Sequence, residues 1–131
     1  MSALVHVAAG VILNSSKQVL LALRPKNKHQ GGLWEFPGGK VEAGEAVETA
    51  LARELLEEVN LTVLACEPLL VSEHNYGDKH VKLDVWLVTR HAGDAHGCEG
   101  QHVEWVAIAD LPTLEFPAAN HPIVSALLKL F

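Results

Sequence analysis

Cysteine is scarce. The chain has two, Cys66 and Cys98, and no C-x-x-C pair. The expectation is two reduced, unpaired thiols, with neither a disulfide framework nor a cysteine zinc site. The eight histidines are scattered and no H-E-x-x-H is present, so a helix-borne zinc site is not expected either. No apolar run approaches the roughly 20 residues needed to span a bilayer, so no membrane partner is expected. The start, Met1-Ser2-Ala3-Leu4-Val5-His6, lacks the basic region and long apolar stretch of a signal peptide. Cytoplasmic location is the expectation that follows. Positive charge is also short: 10 Lys and Arg against 16 Asp and Glu give a formal net charge of −6. This argues against binding long nucleic acid by counterion release. It leaves room for a small phosphorylated ligand, because a bound metal can supply the positive charge. Internal repeats, low-complexity segments and linkers are absent too.

What is present suits one domain over residues 1–131, since 49% of the residues are hydrophobic and can fill a core. Val5–Leu13 is apolar and partly β-branched and reads as a buried strand. Asn14-Ser15-Ser16-Lys17 reads as a turn and Val19–Leu23 as a second strand, which together predict an opening hairpin. Pro25–Gly32 is a polar loop, and Gly38, Gly39 and Gly44 punctuate the next one. From Ala46 to Val59 the apolar residues Leu51, Ala52, Leu55, Leu56 and Val59 gather on one side at about 100° per residue, predicting a helix. Thr62–Val71 reads as a strand bent at Pro68, and Val81–Thr89 as an alternating strand. His91–Gly100 is a glycine-bearing loop, and Val103–Ile108 a further strand. Asn120-His121-Pro122 has the form of a helix start, Asn as N-cap and Pro in the first turn. Ile123–Leu130 completes a short terminal helix. Mixed strands with helices on different sides predict an α/β sandwich.

The helix at 46–59 carries an acidic face. With Glu54 at 0°, Glu57 falls near about −60° and Glu58 near about +40°. Like charges at these spacings destabilise a helix by roughly 0.2–0.5 kcal/mol per pair. Such a face is ordinarily only solvated, but clustered carboxylate oxygens also bind hard divalent cations such as Mg²⁺. The residues upstream decide between the two. The order is Gly39, five residues, Glu45, seven residues, Arg53-Glu54-Leu55, one residue, Glu57-Glu58, one residue, then Asn60-Leu61. This resembles the Nudix box, which departs from it at one fixed position: the family has Gly where this chain has Asn60. The resemblance implies a Nudix-type α/β/α sandwich with a mixed sheet between helices. It implies that Glu54, Glu57 and Glu58 face a metal, Mg²⁺ with Mn²⁺ as the alternative, and that the carbonyl near Gly39 adds a ligand. Glu45 becomes an orienting group, and Arg53 pairs with a neighbouring carboxylate. Asn is the residue after Gly most tolerant of the left-handed helix end, so Asn60 threatens stability by up to about 1 kcal/mol and not the metal ligands.

Other stretches resemble the MutT type within that family, which hydrolyses 8-oxo-dGTP to 8-oxo-dGMP and diphosphate. They are Leu33-Trp34-Glu35-Phe36-Pro37-Gly38-Gly39-Lys40, Glu99-Gly100-Gln101 with Glu104-Trp105, and Phe116-Pro117-Ala118-Ala119-Asn120. Asn120 is the informative residue. An Asn carboxamide carries an acceptor and a donor side by side. It can accept from the N7–H of 8-oxoguanine and donate to O6, whereas guanine presents a lone pair at N7. The alternative is that Asn120 only caps the terminal helix. The resemblance places Arg24, His29, Phe36, Gly38 and Lys79 near the nucleotide as well. Lys79 stands where the type tends to carry Arg, and it keeps the charge without the planar fork. Glu99, in a glycine-flanked loop, is expected to complete the metal shell. Glu54 is the first candidate for general base, with Glu99 second and Arg53 in support. The implied partner is a nucleoside triphosphate, handled by a monomer. The rival expectations are a Nudix pyrophosphatase for CTP or a modified pyrimidine nucleotide, and a catalytically silent nucleotide-sensing module.

Overall fold

A computed structural model describes residues 4–25 and 32–131. Alternation in the first strand sets the architecture. In β1 (Leu4–Ile12), Ala8 and Ile12 point to one face while Ala9 and Val11 point to the other, and all four are buried. A strand buried on both faces requires a helix on each. Helix α1 (Val47–Val59) covers the first face with Ala50, Leu51, Leu55 and Val59, and α2 (His121–Leu130) covers the second with Ile123 and Leu127. Each of the leucine, isoleucine and valine side chains among them, fully removed from water, stabilises the fold by roughly 1.5–3 kcal/mol. The expected α/β/α sandwich is therefore observed.

Its strands divide into two sheets. The first is mixed, in the order β4 (Gly38–Lys40), β1, β6 (His80–Ala92), β5 (Thr62–Asn75), with β1 and β6 parallel. The second is antiparallel, in the order β3 (Trp34–Glu35), β2 (Gln18–Leu23), β7 (Val103–Ala107). The opening hairpin is thus corrected. The turn at 14–17 forms, but β1 and β2 meet in a single bridge, Leu13 with Val19, and then diverge into different sheets. The turn chemistry was read correctly; it does not specify whether the flanking strands stay paired. β5 runs past the expected Val71 to Asn75, with a register shift between Pro68 and Leu70 where the bend was expected. No helix among the described residues is long and apolar enough to cross a membrane.

Candidate functional site

Two cavities share Arg24 and Glu35 in their walls. The first, of about 240 Å³, is lined by Phe36, Gly38, Gly39, Lys79 and Asn120 among others. The second, of about 430 Å³, is lined by Glu58, Glu99 and Gln101. Arg24 and Glu35 line both and form the boundary between them. The sequence-expected substrate residues Arg24, Phe36, Gly38, Lys79 and Asn120 therefore converge on one cavity, while His29 lies outside the described residues.

Glycine brings the acidic helix close. A Cβ on Gly39 would run into the carboxylate of Glu54 where it lies, so the missing side chain lets β4 and that carboxylate touch without displacing it. Arg53 holds the arrangement from the other side. Its Nε and Nη2 donate to the two carboxylate oxygens of Glu45 at 2.9 and 3.0 Å, and Nη1 donates to Glu54 Oε1 at 2.8 Å. Glu57 lies 3.7 Å from the same guanidinium. The fork bond from Arg53, reinforced by the Glu42 N–H, holds the Glu45 carboxyl down at about 2. Arg53 is thus paired with neighbouring carboxylates, as expected from its sequence position, with Glu45 as its bidentate partner.

Glu58 behaves differently from its helix neighbours. Its pKa is pushed up to about 8, first by burial and then by the carboxylates of Glu35, Glu99 and Glu54; a hydrogen bond from the Gly38 N–H only partly offsets this. Glu35 is itself pushed upward by burial, against the pull of Arg24, which donates to it at 2.7 Å. Among the described residues no three His, Cys, Asp or Glu side chains are gathered tightly enough to enclose a metal ion. Glu54 and Glu57 turn toward Arg53, while Glu58 and Glu99 face the second cavity. The donor set still fits a hard divalent cation. It consists of carboxylate oxygens, among them Glu54 and Glu99, whose charge raises the proton affinity of Glu58, which a cation would relieve, with the Gly39 backbone packed against Glu54. Glu35 is the residue that sequence reasoning missed. The available signal was an acid set between two aromatics, Trp34 and Phe36, in a segment otherwise free of charge until Lys40.

The loop bearing Glu99 is docked on the end of α1. The Cys98 N–H and the Gln101 side-chain amide both donate to the Glu58 carbonyl, at 2.9 and 3.2 Å, and the His96 N–H donates to Val59 at 3.1 Å. The loop thereby satisfies carbonyls that a helix end leaves open. Asn60 takes part in this. It adopts the left-handed conformation, φ 61° and ψ 31°, and its carboxamide donates to the Asp94 carbonyl at 3.1 Å, a bond that Gly cannot make. Asn60→Gly is accordingly expected to change stability by less than about 1 kcal/mol, because relieved backbone strain offsets the lost bond. Asn60→Ala loses both and is expected to destabilise by about 1–2 kcal/mol. Urea titration of the two variants checks the order.

Asn120 occupies the position before α2 but does not cap it. Its φ of −87° and ψ of −15° are helical, because the 3-10 turn Ala118–Asn120 runs straight into the helix. An N-cap needs an extended backbone to turn its side chain onto the following N–H groups. The capping expectation is corrected on that ground. Asn120 is only 7% exposed, and among the described residues its carboxamide has no hydrogen-bond partner in the protein. It lines the first cavity with Phe36, whose ring stacks on Phe116 at 5.7 Å. Buried polar groups are rarely left unpaired.

A family model described as NUDIX domain matches residues 8–126. The chain is 38% identical over 125 residues to an 8-oxo-dGTP diphosphatase of Escherichia coli (strain K12), covering 95% of this chain and 97% of that protein. It is 32% identical over 127 residues to a CTP pyrophosphohydrolase of the same organism, covering 97% of this chain and 93% of that protein. A solved structure from a comparison of MutT from Aliivibrio salmonicida and Vibrio cholerae superimposes with a TM-score of 0.86 at 42% identity, over 98% of this chain and 100% of that one.

Proposed function

The chain belongs to the NUDIX-domain family and is a Nudix hydrolase, and from that premise we propose that it converts 8-oxo-dGTP to 8-oxo-dGMP and diphosphate. The observation that carries this reading is the buried carboxamide of Asn120, unpartnered among the described residues, in a cavity adjoining a carboxylate wall. Base recognition and phosphate chemistry thus have separate, neighbouring places. Its service is to remove oxidised precursors from the nucleotide pool before DNA replication, in the cytoplasm, as a monomeric domain over 1–131.

Glu54, Glu57, Glu58 and Glu99, with the Gly39 carbonyl, would hold the divalent cation, Mg²⁺ with Mn²⁺ as the alternative. When bound, the cation neutralises phosphate charge and makes water more acidic. Glu54 accepts the proton of the attacking water, and Arg53 fixes the direction of that carboxylate from behind. Attack at the β-phosphorus releases the nucleoside monophosphate. Arg24, with His29 and Lys79, supplies positive charge and donors to the nucleotide. Phe36 and Gly38 shape the wall against which the base lies, and the Asn120 carboxamide reads N7–H and O6.

The titration of Glu58 gives a pH signature. Its folded pKa, about 8, stands above the ordinary 4.5, so the folded chain holds a proton that the unfolded chain releases. The stability this contributes is fully present below about 4.5 and is lost as pH rises through about 8. Mg²⁺ competes with that proton. Added Mg²⁺ is expected to raise the Tm, and to raise it more at pH 8.5 than at pH 6, in calorimetry or dye-monitored melts. No shift at either pH counts against the metal site.

The test of the function is diphosphate release from a panel of 8-oxo-dGTP, dGTP, dCTP and CTP with Mg²⁺. Preference for 8-oxo-dGTP is expected. The similarity to a CTP pyrophosphohydrolase supports a second reading, which preference for CTP in the same panel would establish. Release from none of them would point to a nucleotide-sensing module.

A further inference from the structure

Selecting between two bases with one carboxamide requires that its direction be fixed. Among the described residues Asn120 has no side-chain bond that could fix it, which leaves the backbone beneath it. The three-residue 3-10 turn that carries it closes through the Asn120 N–H and the Pro117 carbonyl at 2.9 Å. Short 3-10 pieces have poor hydrogen-bond geometry and hold their shape weakly alone.

Two hydroxyls from a distant strand hold this one. Ser72, in β5, donates from Oγ to the Ala119 carbonyl at 2.8 Å. The Tyr76 hydroxyl, just beyond the end of β5, accepts from the Ala119 N–H at 3.0 Å. The N–H belongs to the peptide before Ala119 and the carbonyl to the peptide joining it to Asn120. Both peptide planes on the approach to Asn120 are therefore pinned from outside the turn. The pins are firm. Ser72 is 7% exposed, in the part of β5 from Leu70 to Asn75 that pairs with β6 without a register shift. Tyr76 has its ring 4.5 Å from that of His74, and its N–H donates to the Lys79 carbonyl at 2.7 Å. Tyr76 is the chain's single tyrosine, and Phe there would keep the ring and lose the bond.

We propose that Ser72 and Tyr76 are positioning residues for base selection, clamping Ala119 so that the Asn120 carboxamide meets the N7 and O6 edge in one orientation. The inference rests on the 8-oxo-dGTP reading above. The clamp acts on the base end of the cleft, away from the carboxylates that serve the phosphate. Its loss is therefore expected in discrimination before rate.

The test is steady-state kinetics of the full chain with Mg²⁺, on 8-oxo-dGTP and dGTP, for Ser72→Ala and Tyr76→Phe. Each change removes one hydroxyl and keeps the surrounding packing. The ratio of kcat/KM values is expected to fall about tenfold in each variant, the size of one hydrogen bond, through the KM for 8-oxo-dGTP and not through kcat. In an Asn120→Ala background neither change is expected to move the ratio further. An unchanged ratio in both variants overturns the clamp and leaves the 8-oxo-dGTP reading standing. An equal loss on both nucleotides with a lowered Tm also overturns it, as a purely structural effect. A parent protein without preference for 8-oxo-dGTP overturns both readings. If one variant fails to fold, the other decides.

Discussion

Glu54→Gln yields a folded protein whose kcat is lower by roughly 10²–10⁴-fold, the range that a positioned general base supplies. Glutamine preserves the volume that lies against Gly39, and its amide oxygen still accepts from Arg53 Nη1. Arg53 also keeps its two bonds to Glu45. The helix and its approach to β4 are thus undisturbed, and the Tm should stay close to that of the parent protein. What is removed is the negative charge and the capacity to take a proton. Measuring kcat across a Mg²⁺ titration separates the two losses: weakened cation holding is recovered at high Mg²⁺, and the lost base is not. Turnover retained within about tenfold at saturating Mg²⁺ rejects Glu54 as the base. The role then passes to Glu99, and Glu99→Gln becomes the variant that abolishes turnover.

The acidic face was legible because its chemistry is written in local spacing. Glu54, Glu57 and Glu58 share a helix face by periodicity alone, and Gly39 and Glu45 stand at fixed distances before them. The division of labour among the acids was not legible. Glu58 differs from Glu57 by facing Glu35 and Glu99, which reach it from β3 and from the loop after β6. Those contacts come from tertiary packing, and no periodicity announces them. Asn60 was read as a tolerated defect at a helix end. Its bond to Asp94 makes it a tether for the Glu99 loop, and that depended on where a loop more than thirty residues downstream would lie.

The fold shows the same boundary between local and distant information. The longer strands and both α-helices lie close to where the patterns put them, because burial on one or both faces leaves a period in the sequence; the short strands Trp34–Glu35 and Gly38–Lys40, the second expected as loop, are too short to leave one. Pairing did not follow. A turn at 14–17 fits a hairpin and also fits two strands that part after one bridge. Ser72 and Tyr76 carried no local signal at all. Their partner is the backbone of Ala119, 47 and 43 residues away, and a backbone group leaves no mark on the sequence it is bound to.

Asn120→Ala is the substitution with the largest expected effect on selectivity. With guanine in the cleft, the carboxamide oxygen faces the N7 lone pair and a buried acceptor goes unpaired. Under the proposed base-reading role, with 8-oxoguanine it would accept from N7–H while the amide nitrogen donates to O6. An unpaired buried group costs about 1–3 kcal/mol, so this one residue is expected to account for roughly 5- to 150-fold in the ratio of kcat/KM values. Alanine removes both the reward and the penalty. The ratio of 8-oxo-dGTP to dGTP turnover should therefore collapse by about that factor, mostly through loss of the preferred substrate. Stability is the control. Asn120 makes no capping bond and among the described residues has no side-chain partner, so Ala removes no protein contact of that kind. It deletes a buried polar group that was unsatisfied, and the Tm is expected to hold or rise. A cap would give the opposite result, a loss of about 1 kcal/mol with selectivity unchanged. Selectivity and melting temperature measured on the same variant thus move in different directions under the two roles, and a preference for 8-oxo-dGTP that survives the change would sink the base-reading assignment.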